Sequence, residues 1–112
     1  MARVFLDANT VIDLAEERKT IDLEQFEAHK LFISPLSLHI LTYTYKYKIL
    51  EAKLSQIYKQ VSLVPFDITI TLNSLSGPTS DFEDNVQLHS AAEAECDMFL
   101  TNDKKLLSLK FF

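Results

Sequence analysis

Short apolar runs alternate with longer amphipathic stretches along this chain. Val4-Phe5-Leu6, ended by Asp7, reads as a buried parallel strand, since a strand covered on both faces shows a continuous apolar run. From Thr10 the spacing of Val11, Leu14 and Ala15 is helical and turns Asp13, Glu16 and Glu17 outward. A second, acidic helix is expected over Leu23 to His29, and Leu31-Phe32-Ile33 is the next short strand. Ser34-Pro35 places a capping hydroxyl before a proline at the first helical position and predicts a helix through about Tyr47. Thr42 to Lys48 also alternates like a strand, but the start signal and the shared face of Leu38, Leu41 and Tyr45 favour helix.

The second half repeats the alternation. A helix is predicted over Leu50 to Gln60 and a strand over Val61 to Val64, closed by Pro65. Asp67 caps a short helix over Ile68 to Leu75, and Ser74 to Ser80, with Gly77-Pro78, is a loop. Ser80-Asp81-Phe82-Glu83 has the form of a capping box, with Ser80 as N-cap and Glu83 reaching back. The helix it opens carries Val86, Ala91 and Ala94 and ends near Glu95. Met98-Phe99-Leu100 is a fourth strand, and Asp103 starts a last short helix. Strands that alternate with helices predict an α/β protein whose parallel sheet is covered on both faces.

Composition narrows the class. With 112 residues, 47 % hydrophobic, the chain has the length of one domain, residues 1–112, and enough apolar material for a core. Its single cysteine, Cys96, has no internal disulfide partner and lies among small alanines, which favours a packed side chain and a reducing cytoplasm. No export signal is expected, because the strand-like run Arg3 to Leu6 follows the first residues at once, and no apolar run approaches the length of a membrane span. The net charge of −5 is the reverse of what binds nucleic acid by electrostatics alone. It leaves two options open, carboxylates that coordinate a cation or a partner protein with a basic surface.

Three aspartates make the first option concrete. In right-handed βαβ units the strands end and the following helices begin at one sheet edge, where ligands bind at the point of reversed strand order. Asp7 follows strand one, Asp103 follows strand four, and Asp84 lies in the first turn of the helix leading into strand four. Each alone reads as a helix cap or dipole partner. Together at one edge they would repel unless a cation compensates, and hard oxygen ligands suit Mg²⁺ or Mn²⁺. Asn9 and Thr101 lie near the same strand ends and can orient water or ligand.

These segments resemble the PIN domain family of metal-dependent ribonucleases. The resemblance is carried by Val4-Phe5-Leu6-Asp7-Ala8-Asn9-Thr10-Val11, by Leu31 to Leu38, by Asp81-Phe82-Glu83-Asp84-Asn85-Val86-Gln87, and by Phe99-Leu100-Thr101-Asn102-Asp103. It implies a three-layer α/β/α fold with a central parallel sheet of four or five strands and Mg²⁺ or Mn²⁺ as cofactor. It also implies cleavage of RNA, in many bacterial members as a toxin held by a protein antitoxin. By resemblance Asp7, Asp84 and Asp103 are the catalytic metal ligands, supported by Asn9 and Thr101. Two departures stand out. The family's Glu in the helix after strand two corresponds here to Ile40, so one ligand is expected to be missing and activity to be impaired or absent. The family's further edge strand has no counterpart before Phe112, so strand four is expected to be covered by the tail, a second copy in a homodimer, or a partner. A different family is also similar at one point: Asp7-Ala8-Asn9-Thr10 is like the Asp-x-Asp-x-Thr of haloacid-dehalogenase-like phosphatases, with Asn9 in place of the second acid.

Other chemistry-bearing residues have ordinary explanations. His29, His39 and His89 lack metal-ligand spacing. Tyr43, Tyr45 and Tyr47 with Lys46 and Lys48 suit either RNA stacking and charge neutralisation or a solvated helix with one aromatic face. Lys104-Lys105 sits beside Asp103, while Glu16-Glu17 and Glu93/Glu95 read as solvated faces.

Overall fold

The computed structural model describes residues 2–16 and 28–101. Among these, four strands, β1 (Arg3–Leu6), β2 (Lys30–Ile33), β3 (Ser62–Leu63) and β4 (Met98–Leu100), form one parallel sheet in the order β3-β2-β1-β4. Five helices connect them: α1 (Ala8–Ala15), α2 (Pro35–Tyr45), α3 (Ala52–Gln60), α4 (Ile68–Leu75) and α5 (Phe82–Glu93). The register sets Val4 beside Leu31 and Met98, and Phe5 beside Phe32 and Phe99. Side chains of a strand alternate between faces, so this pairing sorts the core into two layers. Val4, Leu6, Leu31 and Ile33 meet Val11, Ile12, Leu41 and Ile57 on one face. Phe5 and Phe32 meet Val64, Ile70, Val86, Ala91 and Cys96 on the other. The expected three-layer α/β/α arrangement with a four-stranded parallel sheet is present, and no helix among the described residues is long and apolar enough to cross a membrane.

Local chemistry explains most boundaries. The Ser34 hydroxyl accepts the Leu36 N–H at 3.1 Å and Pro35 follows, so α2 starts where expected, and it ends at Lys46 in the left-handed region (φ 54°). Asp67 accepts the Ile70 N–H at 3.0 Å and caps α4 over the expected span. Two starts differ. Helix α1 begins at Ala8 rather than Thr10, because Asp7 is its cap and accepts the Ala8 N–H. Helix α5 is capped by Asp81 rather than Ser80, with the Asp81 carboxylate accepting the Asp84 N–H at 3.1 Å. Asn85 decides that shift: it accepts from both the N–H and the hydroxyl of Thr79 and donates to the carbonyls of Ser74 and Thr79. Thr79 in turn accepts the Asp81 N–H, which holds Asp81 as the last extended residue. The expected helix over Leu23 to His29 and the one from Asp103 fall mostly or wholly outside the described residues; Ala28 and His29 form a turn before β2.

Helix α5 closes with paired bonds from Glu95 N–H to the Ala92 carbonyl and from Cys96 N–H to the Ala91 carbonyl, both 3.0 Å. That closure requires a left-handed residue, and Glu95 supplies it at φ 54°. A non-glycine side chain there is strained. Glu95→Gly is therefore expected to stabilise the protein by roughly 0.5–1 kcal/mol, seen as a higher urea midpoint with an unchanged slope. Cys96 is buried as expected, and burial pushes its thiol above the ordinary range, which makes it a packed group and not a nucleophile.

Two acidic residues expected on the outside of α1 are turned inward. Asp13 is only 5 % exposed, and Glu16 accepts hydrogen bonds from Tyr47 and from Lys53, the latter at 2.7 Å. Helix α1 packs against both α2 and α3 as well as the sheet, so most of its circumference is covered. The Lys53 and Tyr47 donors hold the Glu16 carboxyl below its ordinary 4.5. A depressed folded value stabilises the protein above the unfolded value, and this contribution is lost as pH falls through the folded one. Glu16→Gln should therefore lower the melting temperature at pH 7, by a difference that shrinks as pH falls below 4.5.

Candidate metal centre

The strand order reverses beside β1: its next strand in sequence, β2, lies on one side and β4 on the other. The crevice between the β1 and β4 ends is closed by hydrogen bonds. The Asp7 N–H donates to the Leu100 carbonyl at 3.0 Å, and the Thr10 hydroxyl donates to the same oxygen at 3.2 Å. Asp7 itself is 3 % exposed. One of its oxygens accepts the Ala8 N–H and the other accepts the Thr101 hydroxyl, each at 2.7 Å. Two fixed donors, one on each oxygen, orient the carboxylate. Topology alone therefore sets Asp7 and Thr101 side by side, although they are 94 residues apart in sequence.

Asp84 occupies the third position of α5, half-buried, at the same sheet edge. Asn9 is exposed, in the first turn of α1. Asp103 lies outside the described residues, as does Asn102. Among the described residues no three His, Cys, Asp or Glu side chains form a group able to hold a metal ion, so the three-aspartate set is incomplete without residue 103. The donors present are carboxylate and hydroxyl oxygens, the hard set that fits Mg²⁺ or Mn²⁺.

Ile40 lies in the middle of α2, half-buried against the core layer that holds Val4 and Leu6. One turn earlier on α2, the buried Ser37 hydroxyl donates to the Gln87 side-chain carbonyl at 3.3 Å, linking α2 to α5 one turn beyond Asp84. This polar pair and the Thr10 contact gave no signal in the sequence, because single Ser, Thr and Gln residues are ordinary on helices. The only hint was helical spacing, which sets Gln87 one turn from Asp84 and Thr10 one turn from Asp7.

A sequence profile described as the PIN domain matches residues 3–105. The chain belongs to the PIN domain family. No curated protein matches the sequence. Among solved structures, a chain from VapBC2 of Rickettsia felis, crystallised bound to a DNA fragment from their promoter, has the same fold. The TM-score is 0.75, with 98 % of this chain and 95 % of that chain covered at 17 % sequence identity. The profile runs through Asp7, Ile40, Asp84, Thr101 and Asp103, so every position of the candidate centre lies inside the PIN domain.

Proposed function

We propose that this PIN domain is a divalent-metal-dependent endoribonuclease and the toxin of a toxin–antitoxin pair, acting in the cytoplasm. The observation that carries the reading is the buried Asp7 carboxylate, held by the Ala8 N–H and the Thr101 hydroxyl at the topological switch point of a PIN fold. A deeply buried carboxylate oriented by two donors, with a second acid brought to the same edge by the topology, suits a cation better than a cap alone. Asp7, Asp84 and Asp103 would hold Mg²⁺ or Mn²⁺, with Thr101 and Asn9 as support. When bound, the ion supplies Lewis-acid activation of the scissile phosphate and of attacking water. The chain's own contribution is to fix the Asp7 oxygens and to seal the crevice behind them through Thr10 and the Leu100 carbonyl. The antitoxin is proposed from the likeness to the VapBC2 structure.

The test is cleavage of single-stranded RNA by purified protein. Cuts that appear with Mn²⁺ and vanish with EDTA support the reading; cuts indifferent to EDTA overturn it. A second reading, a degenerate PIN domain that binds RNA or a protein without cutting, rests on Ile40, the apolar residue that the resemblance sets against the family's helix Glu. RNA binding without cleavage at saturating Mn²⁺ would select it.

A further inference from the structure

The tyrosines and the positive charge of this acidic chain are segregated. All four tyrosines, Tyr43, Tyr45, Tyr47 and Tyr58, fall within residues 34–66, the span of α2, α3 and β3. Four of the 11 basic residues, Lys46, Lys48, Lys53 and Lys59, fall there too, but only Glu51 of the 16 acidic ones. The structure divides this set. Tyr47 bonds to Glu16, and Tyr45 packs against the core, so neither presents a free ring face. Lys53 is paired with Glu16. Tyr43 is 79 % exposed, and its ring stacks on that of the exposed His39, with centroids 6.2 Å apart and planes at 28°. Exposed Lys46 and Lys48 follow at the end of the same helix.

We propose that the His39–Tyr43 stack, flanked by Lys46 and Lys48, is a binding subsite for an unpaired nucleobase of single-stranded RNA. The proposal rests on the ribonuclease reading and names where its substrate lies. Two rings already stacked in solvent offer a π-face to any base, and the adjoining lysines match the backbone phosphates. The position fits as well. Helix α2 starts at the end of β2, the sheet edge that holds Asp7, and a rise of about 1.5 Å per residue sets His39 roughly 6 Å and Tyr43 roughly 12 Å along it from Pro35.

The experiment titrates a fluorescently labelled six-nucleotide oligoadenylate into the protein in EDTA, where no cleavage intervenes. Tyr43→Ala and His39→Ala are each expected to weaken binding about 10-fold or more, Tyr43→Trp to retain it, and Lys46→Ala to flatten the salt dependence. Tyr43 is so exposed that its replacement leaves the core untouched. With Mn²⁺, Tyr43→Ala should raise KM and keep kcat. Unchanged affinity of Tyr43→Ala for the oligonucleotide overturns the subsite, as does a Tyr43 ring resonance that follows protein concentration and not RNA, which would make this face a contact between copies. Failure of the wild type to cut RNA would remove the ribonuclease reading alone, since base stacking at Tyr43 is measured without metal.

Discussion

Asp7→Asn is expected to lower metal-dependent RNA cleavage by on the order of 100-fold or more while leaving the fold standing. The separation is possible because Asp7 has two duties that differ chemically. As the cap of α1 it needs one oxygen for the Ala8 N–H, and asparagine caps as well as aspartate. Its other oxygen accepts the Thr101 hydroxyl; an amide nitrogen there donates instead, and a hydroxyl can turn to accept. Only the negative charge is lost, and the charge is what a cation uses. Stability measured by urea should change by less than about 1 kcal/mol. Asp7→Ala should cost more, about 1–2 kcal/mol, because it removes the cap and the acceptor of the buried hydrogen bond from Thr101. Thermal melts give a second readout: Mn²⁺ should raise the wild-type midpoint and not that of Asp7→Asn, since a ligand stabilises only the state that binds it. Equal cleavage by wild type and Asp7→Asn would place the activity elsewhere in the preparation.

The elements were legible in the sequence where side-chain chemistry is local. Strand β4 and helix α4 lie where the apolar run and the Asp67 cap put them, and Ser34-Pro35 marks the start of α2. The errors arise where two neighbouring residues compete for one role or where burial is set by distant segments. Ser80 and Asp81 both present a capping oxygen three residues before an acid, and the choice between them is made by Asn85 gripping Thr79. Asp13, Glu16 and Tyr47 look like surface residues in a helical projection, yet α1 is covered by α2 and α3. For the candidate centre, the nearness of Asp7 and Thr101 is readable because the ends of neighbouring parallel strands share an edge. The Thr10–Leu100 and Ser37–Gln87 contacts are not, because they depend on which helices touch across the sheet edge.

Ile40→Glu is the substitution expected to act in the opposite direction. Ile40 is half-buried in α2, one turn beyond Ser37, whose hydroxyl is tied to the helix carrying Asp84. If position 40 is that of the family's helix Glu, as the resemblance implies, a carboxylate there supplies a fourth acid and should tighten Mn²⁺ binding about 10-fold or more. Cleavage should rise in parallel at subsaturating Mn²⁺. The same change removes apolar contacts with the Val4 and Leu6 layer and sets a charge against that layer. The variant should therefore be less stable than wild type in EDTA, by about 1–2 kcal/mol, and recover much of that difference in Mn²⁺. Ile40→Gln is the matched control, because it has the shape of glutamate without its charge. If the glutamine variant binds metal as well as the glutamate one, side-chain polarity accounts for the effect and position 40 lies outside the coordination sphere. If only glutamate gains, the isoleucine is the physical reason for a weakened centre, and the wild-type chain is a PIN domain one carboxylate short of full metal affinity.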